Sequence, residues 1–237
     1  MIPIGLPGRM VYKVSKNMLL AHAQIYDNYQ KLGLSGKIGM TMTGDFVMPF
    51  NKDVSEDILA AERWNTFHLN WIMEPLLTGD WPSAMLSQIP AARLPRFTPA
   101  EKTLLKNSVD FIGLMHKSYK VVSWKERQTD IEMESYDHDV NVTEMYDWKA
   151  RQTSAIYQRM SKTASSVFEV LKYTNNVMTS IGNKKPIIFM SGVSGESEAI
   201  EELEKRRQNF HDSAMTSDHQ RQTMTHSILN QVLKARV

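Results

Sequence analysis

Along the first part of the chain, apolar residues recur at Val11, Val14, Met18, Leu19, Ile25, Tyr26 and Tyr29. That spacing predicts an amphipathic helix ending at Gly33, where a left-handed cap carries no side-chain penalty. After the turn residues Ser35 and Gly36, the run K-I-G-M-T-M-T-G-D-F ending at Phe46 is apolar and β-branched, and predicts a buried strand. Asp53-x-x-Glu56 has the form of a capping box opening a helix through Ala60, Ala61, Trp64, Phe67, Leu69 and Trp71. A proline-rich connection marked by Pro75, Pro82, Pro90 and Pro95 follows. Thr98-Pro99-Ala100-Glu101 then joins an N-cap, a first-turn proline and a third-position glutamate, which predicts a short helix to about Leu105.

Val109 to Leu114 predicts a second buried strand, and the charged, irregular stretch from Lys125 to Asp147 a surface loop. Ile156, Met160, Ala164, Val167, Phe168 and Leu171 mark a long helix, and Pro186 to Met190 a third apolar strand. Glu198 to Arg207 is dense in charge, and Met224, Ile228, Leu229, Val232 and Leu233 form a last helical stripe. Strands separated by helices imply parallel strands with right-handed crossovers, so the fold class is α/β. Three strands are few for a parallel sheet, which needs helices on both faces and protected edges.

Composition narrows the chemistry. The 237 residues hold 28 Lys and Arg against 26 Asp and Glu, a net charge of +2, and no cysteine. Disulfides, thiolate metal sites and a cysteine nucleophile are thereby excluded. Interspersed acids and bases lack the basic footprint that a nucleic-acid binder needs, so no nucleic-acid partner is expected. No apolar run approaches the roughly 20 residues of a membrane span. MIPIGLPGRM at the amino end has no charged leader followed by an apolar block. Read as written, that predicts a cytoplasmic protein, and a secreted or cell-surface one if the native amino end lies upstream. Asn141-Val142-Thr143 is a glycosylation sequon only in the second case.

Four motifs carry a resemblance. Asn17-Met-Leu-Leu-Ala-His22-Ala is similar to an H-N-L-L-x-A-H-A helix. Ala60 to Met85, A-A-E-R-W-N-T-F-H-L-N-W-I-M-E-P-L-L-T-G-D-W-P-S-A-M, is similar to A-A-E-R-x-x-x-F-x-x-G-W-x-x-x-P-x-x-x-G-D-Y-P-x-x-M, with Asn70 at the glycine. R-L-P-R-F-T-P-A-E-K (Arg93 to Lys102) and D-F-I-G-L (Asp110 to Leu114) continue in the same order. Together they resemble family 1 of the glycoside hydrolases, which contains β-glucosidases, lactase and the klotho co-receptors. The match is strong over residues 7–122 and weaker over 157–237, as one incomplete barrel domain over 1–237. The resemblance implies part of a (β/α)8 barrel, about its fifth to seventh strands with their helices, and a sugar or protein ligand. Three strands leave two raw edges and half a core, so low stability is expected of the chain alone.

Retaining glycosidases need two carboxyl groups about 5 to 5.5 Å apart, one donating a proton to the leaving oxygen and one attacking the anomeric carbon. In the family the first belongs to a T-x-N-E-P motif at the end of strand four, which the sequence does not contain. The second belongs to I-T-E-N-G at the end of strand seven. Pro186-Ile-Ile-Phe-Met190-Ser191-Gly192-Val193-Ser194 stands there, one residue shorter, with Met-Ser for Thr-Glu-Asn and no carboxylate. In the strand-six pattern Met115 replaces an asparagine and Lys117 a tyrosine. The expectation is therefore no catalytic residue and a klotho-like pseudoenzyme, against the alternative of a piece of an active β-glycosidase.

Asp45, Phe46 and His116, near the carboxyl ends of predicted strands, are the candidate substrate-binding positions, with a strand-end turn the favoured reading of Asp45. Glu196 and Glu198 follow the third strand and read as solvated loop acids. His22 reads as a hydrogen-bonded packing histidine, and Trp64, Trp71 and Trp81 as packing residues. His138 between Asp137 and Asp139 reads as solvated loop. Ser191-Gly-Val-Ser194-Gly lacks the full nucleophile elbow of serine hydrolases. The seven histidines show no H-x-x-x-H spacing, and neither a metal nor a cofactor is expected.

Overall fold

The computed structural model describes residues 7–43, 46–116, 119–125, 135–145, 155–190 and 228–232. Helix α1, Pro7–Lys31, buries Tyr12, Ser15, Leu19 and Ala23 along one side. Gly33, at φ 65°, takes the left-handed conformation expected after its last turn. The three predicted strands form one parallel sheet in which β1, Gly39–Thr43, lies beside β3, Phe111–Met115, and β3 beside β6, Ile187–Met190. Alternation sends Met40, Met42, Ile112, Leu114, Ile187 and Phe189 to one face, where they join the hydrophobic core. On the opposite face Thr41 is exposed, and Ile188 keeps 44% of its surface open.

A second sheet joins β2, Phe46–Pro49, in parallel to β4, Tyr119–Trp124, and β4 in antiparallel to β5, Val142–Met145. Helix α2, Ser55–Asn65, runs through a π-helical turn, Thr66–Asn70, into α3, Trp71–Thr78. Helices α4, Ser83–Gln88, and α5, Pro99–Leu105, follow, then α6, Tyr136–Val140, and α7, Ala155–Ser180. Residues 228–232 are helical, with Ile228 in the core. The stretch from Glu198 to Arg207 and the rest of the last helical stripe lie outside the described residues.

The capping box at Thr98 forms as expected. The Glu101 amide donates to Thr98 Oγ1 at 3.2 Å, and the Thr98 amide to Glu101 Oε2 at 2.7 Å. Lys16 reaches the same carboxylate at 2.8 Å and ties α1 to α5. The box expected at Asp53 does not form. Asn51 Oδ1 takes the Asp53 amide at 2.9 Å, Glu56 accepts from Ser55 Oγ, and α2 starts at Ser55 after Val54. Asx-turn geometry at Asn51 thus outcompetes the cap.

Pro75 also departs from expectation, lying inside α3 rather than in a connection. A proline removes one ladder bond, and here the helix carries an irregular π turn just upstream yet continues until Gly79 at φ 92°. Any side chain at Gly79 would strike the Lys102 carbonyl, which helps to stop the helix there.

The stretch from Lys125 to Asp147, expected as a surface loop, contains α6 and β5 within its described part. The cause is Asp139, which is 3% exposed. Its carboxylate accepts from Arg93 Nη1 at 2.8 Å, Arg93 Nη2 at 2.5 Å and the Tyr12 hydroxyl at 2.6 Å. Arg93 itself is 5% exposed, and its Nε donates to the Gly8 carbonyl at 3.2 Å. Arg63 donates to the carbonyls of Val140 and Asn141 at 2.6 and 2.7 Å, closing the carboxyl end of α6. One buried bidentate pair thus fastens α1, the 90–94 turn and α6 together.

Removing one partner of such a pair strands a buried charge, so Asp139→Ala and Arg93→Ala should each lower unfolding free energy by about 3 to 5 kcal/mol. The double replacement Arg93→Met with Asp139→Leu should recover most of that loss. Urea midpoints at fixed m-value measure both, and a single variant within 1 kcal/mol of the native protein (about the net worth of one ordinary hydrogen bond) would show that the pair is incidental.

Candidate functional site

In parallel α/β folds, chemistry gathers where strands end at their carboxyl side. Here β1 ends at Thr43 and resumes as β2 at Phe46, while β3 ends at Met115 and resumes as β4 at Tyr119. The ladders pair Thr43 with Met115 and Phe46 with Tyr119. The second connection therefore holds one residue more than the first between the two ladders. Met115 pairs in turn with Met190. The last row across the three strands is thus Thr43, Met115 and Met190, and none of the three is ionisable.

His116 opens the longer connection. It is 2% exposed, and its Nε2 lies 2.6 Å from Ser166 Oγ on α7. Phe46, 6% exposed, packs on Tyr173 of α7 with ring centroids 5.6 Å apart. Both candidates face the packing between the strand ends and α7. Asp45, Glu196, Glu198 and Ser191 to Ser194 lie outside the described residues.

The chain after β1 is held from α2. Asn65, 3% exposed, accepts from the Val47 amide at 3.1 Å and donates to the Val47 carbonyl at 3.0 Å, completing both hydrogen bonds of one residue as a neighbouring strand would. Asp57 accepts the Asn51 amide at 3.0 Å and the Trp124 amide at 2.8 Å, joining the ends of β2 and β4. Sequence reading missed both residues, and the available signal was a polar side chain beside Ala61 and Trp64 in the apolar stripe of α2.

Behind Phe46, the Tyr173 hydroxyl accepts from Asn70 Nδ2 at 3.0 Å. Burial pushes the Tyr173 phenol up to about 12, and Glu74 and Glu62 add to the rise. Glu74, half-buried one turn beyond Asn70, is pushed by burial from its ordinary 4.5 to about 7. No pattern in the sequence distinguished Asn70, Glu74 or Tyr173 as a group.

The remaining candidates resolve into packing. His22 Nε2 lies 2.9 Å from the Ser108 carbonyl, and burial lowers its pKa, as befits the packing histidine expected. His138, read as solvated loop, instead sits half-buried on α6, where its neighbour Asp139 is committed to Arg93. Trp64 stacks on His68 with centroids 3.4 Å apart, and Trp71 meets Tyr12 edge-on at 6.2 Å. Trp81 Nε1 donates to the Pro95 carbonyl at 2.9 Å beside Phe97. Among the described residues no three His, Asp or Glu gather as metal ligands, and no helix is long and apolar enough to cross a membrane.

Known proteins bear directly on this geometry. The Glycosyl hydrolase family 1 profile matches residues 3–235. Lactase/phlorizin hydrolase of Rattus norvegicus is 36% identical over 169 residues, covering 66% of this chain and 9% of that protein. Raucaffricine-O-beta-D-glucosidase of Rauvolfia serpentina is 35% identical over 144 residues, 59% of this chain and 26% of that protein. The solved β-glucosidase of the fungus Humicola insolens, in complex with glucose, superposes with a TM-score of 0.75 at 23% identity, covering 99% of this chain and 47% of that one. The fold is thus α/β and part of a (β/α)8 barrel. The chain spans about half of that solved structure and about a quarter or less of these two curated relatives.

Because burial favours neutral Glu74, the fold holds a proton there that the unfolded chain releases. The stability this lends is full below 4.5 and is lost as pH rises through about 7. Glu74→Gln should leave stability unchanged near pH 4 and raise it near pH 8, by less than the full shift because the half-buried carboxylate is partly screened by solvent. Urea unfolding at both pH values measures the difference, and equal effects at the two would remove Glu74 as its source.

Proposed function

The chain belongs to glycosyl hydrolase family 1, and we propose that it is a member whose own residues do not hydrolyse glycosides. Its retained role is then to bind a β-glycoside or a protein, in the manner of the klotho-type pseudoenzymes. In this reading β1, β3 and β6 are the fifth, sixth and seventh barrel strands, and the whole chain is one incomplete barrel domain. The observation that carries it is the end of β6, where Met190 is followed by Ser191-Gly192-Val193-Ser194 at the place of the nucleophile motif. A retaining mechanism traps an oxocarbenium-like centre with a carboxylate on the face opposite the leaving group. A thioether and small hydroxyls carry no charge to stabilise that centre. Met115, at the position of the supporting asparagine, removes a hydrogen-bond donor as well.

A second reading keeps the family's activity, the chain being a piece of an active β-glycosidase. It draws on the 47% share of the solved relative that the chain covers. The two readings differ at one locus, because a piece of a working enzyme has no reason to lose its strand-seven carboxylate.

Assays on aryl β-glucosides and β-galactosides should show no turnover above buffer, while calorimetric titration with the same sugars reports binding. A chimera whose other strands come from an active family β-glucosidase should stay inactive with the native Met190-Ser191 and gain activity when Thr-Glu-Asn replaces that pair. Enzyme-like turnover by the native chain, abolished by Glu196→Gln or Glu198→Gln, would falsify the pseudoenzyme reading.

A further inference from the structure

Asn70 stands where the similar family motif carries glycine, so its side chain is an addition of this chain at the junction of the π turn and α3. An added polar side chain at 5% exposure must find partners for both ends of its amide or lose stability. One end is satisfied, Nδ2 donating to the Tyr173 hydroxyl at 3.0 Å. The other, Oδ1, is buried and has no hydrogen-bond donor among the described residues. Among the described residues no backbone amide supplies it, which turns attention to a nearby side chain able to carry a hydrogen.

Glu74 carries a carboxyl one turn further along the same helix. It lies four residues on, and side chains on a helix lean toward its amino end, which brings the residue at i+4 over the one at i. It is also close enough to Tyr173, the partner of Asn70, to act on its ionisation. We propose that Glu74, as a carboxylic acid, donates to Asn70 Oδ1 and so completes a Glu74–Asn70–Tyr173 relay latching the start of α3 to α7. The O–H of the acid supplies the missing donor, and the Asn70 amide then has a partner at each end.

The surroundings favour the acid form. Burial raises the Glu74 pKa to about 7, with no opposing charge among its causes. On α1, Lys16 is held by Glu101 and Tyr12 by Asp139; on α5, Lys102 is paired with Asp80. In the π turn, His68 stacks on Trp64. On α7, Lys172 lies over Phe168 at 5.9 Å, and Glu169 and Tyr173 bring no positive charge, nor does Glu62 on α2. Since Tyr173 also packs on Phe46, loss of the proton is felt at the strand ends, making this a pH-sensitive element of the fold near neutrality.

Two measurements on the full chain test the latch. In carboxyl carbon-13 titration, with the Glu74 signal assigned by its loss in Glu74→Gln, the midpoint should fall by about one unit, tenfold in proton affinity, in Asn70→Gly. An unchanged midpoint in a folded Asn70→Gly protein overturns the proposal, because burial alone would then hold the proton. The second needs no Asn70 variant. The infrared difference between native protein and Glu74→Gln at pH 5 should show the carbonyl stretch of a hydrogen-bonded acid, and the stretch of a free acid overturns the relay.

Discussion

A parallel sheet satisfies its backbone only along its ladders and hides its side chains only if something lies on each face. Among the described residues the β1–β3–β6 sheet is covered mainly on one face, and most of the architecture follows from that asymmetry. Met40, Met42, Ile112, Leu114, Ile187 and Phe189 turn into the core, while Thr41 and Ile188 meet solvent from the other side. Burial is therefore concentrated between one sheet face and the helices, and the stability that two covered faces would share falls to one. This is why polar anchors matter so much here. Asn65 completes the bonds of Val47, Asp57 joins the ends of β2 and β4, and Arg93 with Asp139 pins α6. Each fixes by hydrogen bonding what an opposing layer of side chains would otherwise fix by packing.

Elements whose identity rests on local pattern were readable in the sequence. The Thr98 capping box, the β-branched runs and Gly33 encode their structure within a few residues, whereas the stripe read along α1 gives the helix but not its buried face, since Val14, Met18 and Ile25 are exposed while Tyr12, Ser15, Leu19 and Ala23 are buried. What the sequence concealed depends on distant partners. Asp139 lies among charges in a segment with no period, and distant partners, Arg93 46 positions earlier and Tyr12 127 positions earlier, make it a buried residue and its segment a folded one. Asp53 and Glu56 have the spacing of a cap, but the side chain of Asn51 takes the amide first. Pro75 is a helix breaker by propensity, yet the packing of Leu76 and Leu77 into the core keeps α3 going.

The candidate site divides along the same line. Histidines and tryptophans drew attention by type, and most prove to be packing groups with one hydrogen bond or one ring contact apiece. The residues that shape the strand ends, Asn65, Asn70, Glu74 and Tyr173, are polar positions embedded in apolar helices. A periodicity reading treats such positions as outward-facing, because it has no means of knowing that a partner waits inside. In the motif that carries the resemblance, Asn70 is visible only as a departure from glycine, and the departure gains meaning once Tyr173 is found within 3.0 Å.

Fold and chemistry draw on different residues, which is how one can persist while the other changes. The barrel-type arrangement is specified by alternation along the strands, by helix caps, and by buried pairs well away from the strand ends. None of these involves Thr43, Met115 or Met190 in the last row. A thioether in that row carries no charge that would be costly to bury and leaves the ladder untouched. Selection on catalysis holds such a charge in place against that cost; without such selection, a residue that packs well is the more stable choice. The methionines at the ends of β3 and β6 fit that physical logic, since their flexible side chains pack without bringing a charge into the row.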